Sequence, residues 1–104
     1  MEKTKRIQLQ NELEDVLGSK NVYFQPPESM KLQYPCIIYF KTNVPLRYAN
    51  NKVYHMKQGY TVTVVDKDPD SEIPFDITKH FEYCRIDSFY KSENLNHTKL
   101  TLYY

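Results

Sequence analysis

The stretch KQGYTVTVVD, residues 57–66, decides the fold class because it alternates in the manner of a half-buried strand. Val62 and Val64 fall on one side of such a strand, and Thr61 and Thr63 fall on the other. This alternation is typical of an antiparallel sheet that has one covered face. We therefore predict a strand whose valine side is buried by another layer of the protein.

A helix that could supply this layer is predicted before the strand. Residues 4–17 repeat apolar positions at helical spacing, and Gly18 follows as the natural C-cap. The apolar positions form one face, made of Leu9, Leu13, Val16 and Leu17. We expect this face to cover Val62 and Val64.

Further elements are indicated on both sides of this strand. A second helix is predicted over residues 75–81, opened by Pro74. The other strands are predicted at residues 21–25, 36–41, 83–91 and 98–104, and the sequence SENLN between the last two reads as a turn. The order is α-β-β-β-α-β-β, which indicates one α+β domain over residues 1–104, a mainly antiparallel sheet of four to five strands with two helices packed against it.

The long connection at residues 42–56 contains Pro45 and the pair Asn50 and Asn51. These turn-forming residues predict a long turn or an extended hairpin tip that projects from the sheet. The Tyr34–Pro35 bond is open to either isomer. Cys36 and Cys84 lack metal-ligand spacing, so two free thiols are the preferred interpretation, with a single disulfide left open.

The charge balance bounds the partners of this chain. Its 104 residues include 14 basic and 13 acidic ones, a formal net charge of +1. No field of one sign draws the protein to nucleic acid or to an acidic membrane. Its first residues have no apolar run of the signal-peptide kind, and no apolar run is long enough to cross a bilayer. We expect a soluble protein in a cytoplasm-like setting, with no membrane partner and no specific nucleic acid.

The acidic cluster after the strand has the opening spacing of a calcium loop. Asp66, Asp68 and Asp70 occupy its first, third and fifth places, but the required glycine and glutamate are replaced by Ser71 and Ile77. Aspartate and proline also initiate turns. We therefore interpret the cluster as a turn that a binding partner could contact, and we predict no metal site.

No catalytic or cofactor motif is recognisable. The sequence has only two glycines, which excludes glycine-rich phosphate loops. Cys84 and His97 could face one another across the last hairpin, but no third residue that would orient the imidazole is indicated. We predict a protein that is not an enzyme and binds no cofactor.

Ten tyrosines and five phenylalanines are the other unusual feature. Tyrosine suits protein interfaces because it combines a large contact area with a polar tip. Aromatic residues beside basic ones, as at Lys52 and Tyr54, could also stack on single-stranded nucleic acid. The chain lacks the basic excess that such binding needs, so a small nucleic-acid-binding module is only an alternative hypothesis.

Three segments carry a resemblance to a known family: YPCIIYF, YANNKVYHMKQGYTVTVVDKDPDS and CRIDSFYKSENLNHTKLTLYY. They resemble the tail terminator or tail completion (tail-to-head joining) proteins of long-tailed bacteriophages and prophages. The resemblance covers roughly residues 34–104, and the N-terminal helix matches only in kind. Other small neck proteins, such as head-completion or adaptor proteins, are the alternative within the same gene clusters.

The resemblance implies a structural role in virion assembly and no catalytic residues. Such proteins form rings, usually hexameric, that cap the finished tail tube and then receive the filled head. The implied partners are other copies of the chain, the tail-tube protein and the head-tail connector proteins, and the implied location is the tail-head junction of a virion assembled in the host cytoplasm. The residues that we expect to make such contacts are Arg47, Tyr48, Asn50, Asn51, Asp66, Asp68 and Asp70.

Overall fold

A computed structural model describes residues 2–42 and 57–104, with side chains described from residue 5 onward in the first helix. In these ranges the chain forms two helices and five strands. The helices are α1 (Glu2–Leu17) and α2 (Ile73–His80), and the strands are β1 (Val22–Phe24), β2 (Cys36–Thr42), β3 (Gly59–Asp66), β4 (Cys84–Ser92) and β5 (Leu95–Tyr103). The predicted order α-β-β-β-α-β-β is confirmed.

The five strands form one sheet in the order β1-β2-β3-β5-β4. Strands β2 to β5 pair antiparallel with their neighbours, and only β1 runs parallel to the strand beside it. The prediction of an α+β domain with a mainly antiparallel sheet is therefore confirmed. Within the described ranges, β1 and β4 are the two edges of the sheet.

The core lies between the two helices and one face of the sheet. Val62 and Val64 of β3 are fully buried in the same cluster as Leu9 and Leu13 of α1, as the alternation predicted. Val16 and Leu17 pack against this cluster from its margin. The same face receives buried residues from the other strands and from α2: Val22, Ile37, Tyr39, Tyr60, Ile77, Leu100 and Leu102. No helix of the described part covers the opposite face.

Two of the tyrosines are core residues. Tyr39 is fully buried and Tyr60 is 2% exposed, with their ring centroids 5.8 Å apart. The Tyr39 hydroxyl donates a hydrogen bond of 2.6 Å to the Gln10 side chain and accepts one of 3.3 Å from Arg6. Burial raises the pKa of Tyr39. The tyrosine count therefore reflects the core as well as the surface.

The helix ends in the structure differ from the predicted ends by two residues or fewer. Gly18 follows α1 directly with φ +82°, and its N–H donates to the Glu14 carbonyl at 2.8 Å. This left-handed conformation favours glycine. The second helix begins at Ile73, two residues before the predicted start, and Pro74 lies in its first turn, where no intrahelical N–H bond is lost.

The last hairpin is tighter than the sequence predicted. Only Glu93 and Asn94 connect β4 to β5, with φ +52° and +64°, so β5 begins at Leu95 and not at residue 98. Two successive positive φ values define the two-residue turn whose twist matches that of paired strands. The five-residue turn SENLN was therefore predicted too long.

The remaining local features are resolved by the fold. The Tyr34–Pro35 bond is cis. Cys36 and Cys84 are both free thiols, and they lie on β2 and β4, which are not neighbours in the sheet. The preferred interpretation of the cysteines is therefore the correct one.

A cluster of polar side chains joins the C-terminal residue to both helices. The Tyr104 hydroxyl donates a short hydrogen bond to Glu12, and His80 Nε2 lies 2.8 Å from the other carboxylate oxygen of Glu12. The Tyr104 hydrogen bond, and after it His80, lower the pKa of Glu12. Burial and the Glu12 carboxylate raise the pKa of Tyr104 to about 12. The ionised Glu12 is thus the form that the folded state favours.

This cluster predicts a pH-dependent contribution to stability. A carboxylate with a lowered folded-state pKa stabilises the protein above its unfolded pKa, and the contribution is lost as the pH falls through the folded pKa. We expect Glu12→Gln to destabilise the protein near neutral pH and to approach the wild type at about pH 3. Urea unfolding at a series of pH values measures this. The matched control is Asp15→Asn, an exposed carboxylate on the same helix. A Glu12→Gln difference that stays constant with pH would contradict the assignment.

Candidate functional site

The aspartate loop that follows β3 is stabilised by its own side chains. The Asp66 carboxylate accepts a 3.0 Å hydrogen bond from the Asp68 N–H, and the Asp68 carboxylate accepts one of 2.9 Å from the Asp70 N–H. The Asp68 carbonyl also accepts from the Ser71 N–H at 3.3 Å. These are successive Asx turns, in which a carboxylate bonds the backbone two residues on. The interpretation of this stretch as a turn is therefore correct.

The loop is also attached to the sheet. Asn96, near the start of β5, donates its side-chain amide to the carbonyls of Asp66 and Lys67 at 3.4 and 3.3 Å. At the other end, the Ser71 hydroxyl accepts from the Ile73 N–H at the start of α2. The loop thus has a fixed position over the end of the sheet where β3 finishes.

A groove of about 590 Å³ lies between this loop, α2 and the second half of β4. Its floor includes Val64 and Thr98, on the sheet face that carries the helices. Its walls include two large apolar side chains, Phe75 of α2 and Phe89 of β4, which are 50% and 64% exposed. A groove with exposed aromatic walls is a candidate binding surface because their burial by a partner is favourable.

The groove is acidic. Asp66, Asp68, Asp70 and Glu72 line it, against the single ammonium group of Lys91. Within the described ranges the carboxylates of Asp70 and Glu72 accept no hydrogen bond and form no ion pair. The site therefore presents unpaired negative charge beside apolar surface, which suits a partner that carries basic and apolar side chains.

Two acidic side chains of the groove are engaged in the loop rather than grouped with the others around one point. Among the described residues, no three histidine, cysteine, aspartate or glutamate side chains are placed to hold a metal ion. Asp66 and Asp68 use carboxylate oxygens to bond the backbone of the loop. The calcium-like spacing in the sequence thus has its physical explanation in the turn.

Some of the residues predicted from the sequence to make contacts can be placed, and others cannot. Asp66, Asp68 and Asp70 all line the groove. The predicted contact residues Arg47, Tyr48, Asn50 and Asn51, and the predicted hairpin tip to which they belong, lie outside the described residues.

The pairing of Cys84 with His97, considered from the sequence, is wrong. Cys84 pairs with Leu102 in the β4–β5 ladder, whereas His97 pairs with Tyr90. Leu102 and His97 are five positions apart on β5, so their side chains point to opposite faces of the sheet. Burial and the nearby Asp87 carboxylate raise the pKa of the Cys84 thiol to about 11, the opposite of an activated nucleophile.

The two phenylalanines of the groove were not predictable as exposed residues from the patterns considered. Phe75 was assigned to a short helix and Phe89 to a strand, without any prediction of exposure. Phe89 precedes Tyr90 in β4, so adjacent large aromatics point to opposite faces of the strand. The Phe89–Tyr90 pair could have indicated a binding surface, because a strand carries large aromatic side chains on both faces only where both faces are buried or bound.

Comparisons with known proteins place this chain in no family. No protein-family model, no curated protein and no solved structure matches it. Among the described residues, no helix is long and apolar enough to cross a membrane.

Proposed function

We propose that this chain is a structural protein of phage morphogenesis, a tail terminator or tail completion protein. In this role it caps the completed tail tube and forms part of the head-tail junction as a closed ring, most simply of six copies. It acts in the virion, after assembly in the cytoplasm of the bacterial host. The proposed role requires binding surfaces and no catalytic group.

The main support is the agreement between the resemblance and the fold. The three segments that resemble the family contain most of β2 and the whole of β3, β4 and β5, which are consecutive in one sheet. The resemblance implies an antiparallel sheet with helices packed against it, and the described chain has this architecture. The resemblance therefore extends over four adjacent strands of the five-stranded sheet.

The surfaces of the subunit give further support. A closed ring needs two different faces on each subunit, because each copy contacts its neighbours through unlike surfaces. The groove is acidic and aromatic, whereas the sheet face opposite the helices carries Phe40, 45% exposed, together with threonine side chains. A net charge of +1 lets like subunits approach without strong repulsion.

The nucleic-acid alternative gains no support from this site. Stacking on Phe75 or Phe89 would bring phosphates next to four carboxylates, and among the described residues that line the groove Lys91 is the one lysine or arginine that could offset them. Repulsion of this kind opposes binding to single strands.

Arg47 provides a test of the ring. In the proposed ring, Arg47 is the candidate to pair with an aspartate in the loop of the neighbouring copy, and a charge pair of this kind would fix register between subunits. We expect Arg47→Glu to abolish head-tail joining while the melting temperature of the isolated protein stays unchanged. Virion assembly is scored by electron microscopy of lysates and by infectious titre.

A second charge reversal is the matched control for this test. Lys31→Glu reverses an exposed basic residue in the connection between β1 and β2. We expect it to leave the titre unchanged. Normal particles from Arg47→Glu, or an equal loss from both reversals, would contradict the proposed contact.

A further inference from the structure

The two edges of the sheet differ in their availability for pairing. The edge strand β1 has only three residues, and the main chain of Val22 is occupied on its outer side. Its N–H donates to the Lys20 carbonyl at 2.8 Å, and its carbonyl accepts from the Gln10 side chain at 2.9 Å. This edge is therefore short, and the outward groups of Val22 are already used within the protein.

The opposite edge, β4, has nine residues and pairs only with β5 in the described part of the chain. In a two-residue hairpin the pair that flanks the turn is hydrogen-bonded, so the N–H and carbonyl of Ser92 point toward β5. Because an antiparallel ladder alternates, the N–H and carbonyl of Tyr90 also point toward β5. Those of Phe89 and Lys91 point away from it. The main-chain groups of Phe89 and Lys91 thus form an unpaired edge.

Most of the features that protect sheet edges lie in the first half of β4. A bulge at Asp87 interrupts the ladder there, and Arg85 and Asp87 form an ion pair of 3.0 Å. Bulges and charges of this kind discourage a further strand. The second half carries one charge, Lys91, and two exposed aromatics, Phe89 and Tyr90, which are 64% and 47% exposed.

The groove lies beside this open half. Phe89 and Lys91 pair with Thr98 and Asn96, so their side chains lie on the groove side of the sheet. A strand added at the edge would direct alternate side chains to the same side. Those side chains would meet Phe89 and the unpaired carboxylates, which selects basic and apolar residues in the added strand.

One segment of the chain itself has this chemistry. Residues 43–56, NVPLRYANNKVYHM, include two basic residues, Arg47 and Lys52, with apolar neighbours and no aspartate or glutamate. The segment is attached between Thr42 and Gly59, at the end of the sheet where β3 begins. The groove is at the other end of β3. The eight extended residues of this strand span about 24 Å. This separation favours a neighbouring copy as the source of the segment.

We propose that a short stretch within residues 43–56 of a second copy pairs with the free edge of β4 at Phe89 and Lys91. The basic side chains of this segment then lie in the acidic groove, beside Phe75 and Phe89. The inference rests on the self-association in the proposed function, and it identifies which surfaces meet.

The contact can be tested with a fluorescent peptide of residues 43–56 and the full-length protein. Fluorescence anisotropy should show saturable binding that weakens as salt rises. A control peptide with Arg47→Glu and Lys52→Glu should not bind. Hydrogen exchange should show new protection at the amides of Phe89 and Lys91, because strand addition uses these N–H groups.

Substitutions at Lys91 separate strand addition from simple charge attraction. Lys91→Pro removes an outward N–H without removing a bond to β5, as edge positions permit. We expect it to weaken peptide binding by about tenfold or more, through the lost bond and the steric block. Lys91→Ala keeps the N–H and removes a repulsive charge, so it should bind at least as tightly as the wild type. Unchanged melting temperatures confirm that both variants fold.

The acidic wall has its own matched pair of variants. Asp70→Asn with Glu72→Gln should weaken peptide binding about tenfold, because two carboxylates of the groove are neutralised. Asp15→Asn with Glu28→Gln removes the same charge from exposed positions outside the groove and should have little effect.

Several outcomes would overturn the inference. One is a peptide that does not bind, or that binds Lys91→Pro and Lys91→Ala equally without protecting the β4 amides. Another is that the protein forms a dimer which Lys91→Pro dissociates and which the peptide does not disrupt. This result would mean that two β4 edges pair directly. Failure of the peptide together with loss of head-tail joining on gene deletion would reject this contact and leave the proposed function standing.

Discussion

Deletion of the gene for this chain is expected, from the proposed tail-completion role, to give lysates that contain filled heads and separate tails. In the proposed role the ring links the tail tube to the connector, so its loss prevents heads from joining tails. We expect tails of abnormal length among them, because a tube without its cap has no fixed end. Electron microscopy of the lysate and infectious titre measure the effect, and a plasmid copy of the gene should restore joined particles.

Other outcomes of the deletion distinguish the alternatives. Intact infectious particles would reject a structural role in the neck. Heads that have lost their DNA beside tails of normal length would instead indicate a head-completion protein. A plasmid copy carrying Lys91→Pro extends the test, because the inferred strand addition predicts that it restores joining poorly, whereas Lys91→Ala restores it.

Leu13→Ala is expected to reduce the free energy of unfolding by about 2–5 kcal/mol, the range for removing a buried leucine side chain. Leu13 is fully buried between α1 and the sheet, in the cluster that contains Val62 and Val64. The substitution removes apolar burial and leaves a cavity that the surrounding strands cannot fill completely. Urea unfolding of the isolated protein at neutral pH measures the change.

The control for this prediction lies on the same helix. Ile7 is 45% exposed, so Ile7→Ala should change the free energy of unfolding by less than about 0.5 kcal/mol. Equal effects of the two substitutions would mean that the covered face of α1 is assigned incorrectly.

Local patterns in the sequence were sufficient for the order of the elements and for the buried faces of α1 and β3. Val62 and Val64 alternate with threonines, and Leu9 and Leu13 are one helical turn apart, so each element shows its buried side in its own spacing. The aspartate loop was also predictable, because Asx turns form between residues two apart. In each case the cause lies within a few residues of the effect.

The hairpin and the groove required more than these patterns. The number of residues in the final turn depends on where the β4–β5 ladder stops, and the positive φ values of Glu93 and Asn94 are a consequence of that register. Phe75 and Phe89 lie 14 positions apart in the sequence and form one groove only because α2 and β4 meet beside the aspartate loop. No spacing rule connects them.

The sequence by itself determined the α+β class, the order of the elements, the buried faces of α1 and β3 and the turn at Asp66–Asp70, because short-range periodicity and turn chemistry fix these features. Only the tertiary structure decided that β4 offers a long open edge and that β1 is a short edge whose Val22 is already hydrogen-bonded on its outer side. It also decided that Tyr39 and Tyr60 belong to the core and that Glu12 meets Tyr104 across 92 positions of sequence. These features depend on which distant residues come together, and that is set by the packing of the whole chain rather than by any local pattern.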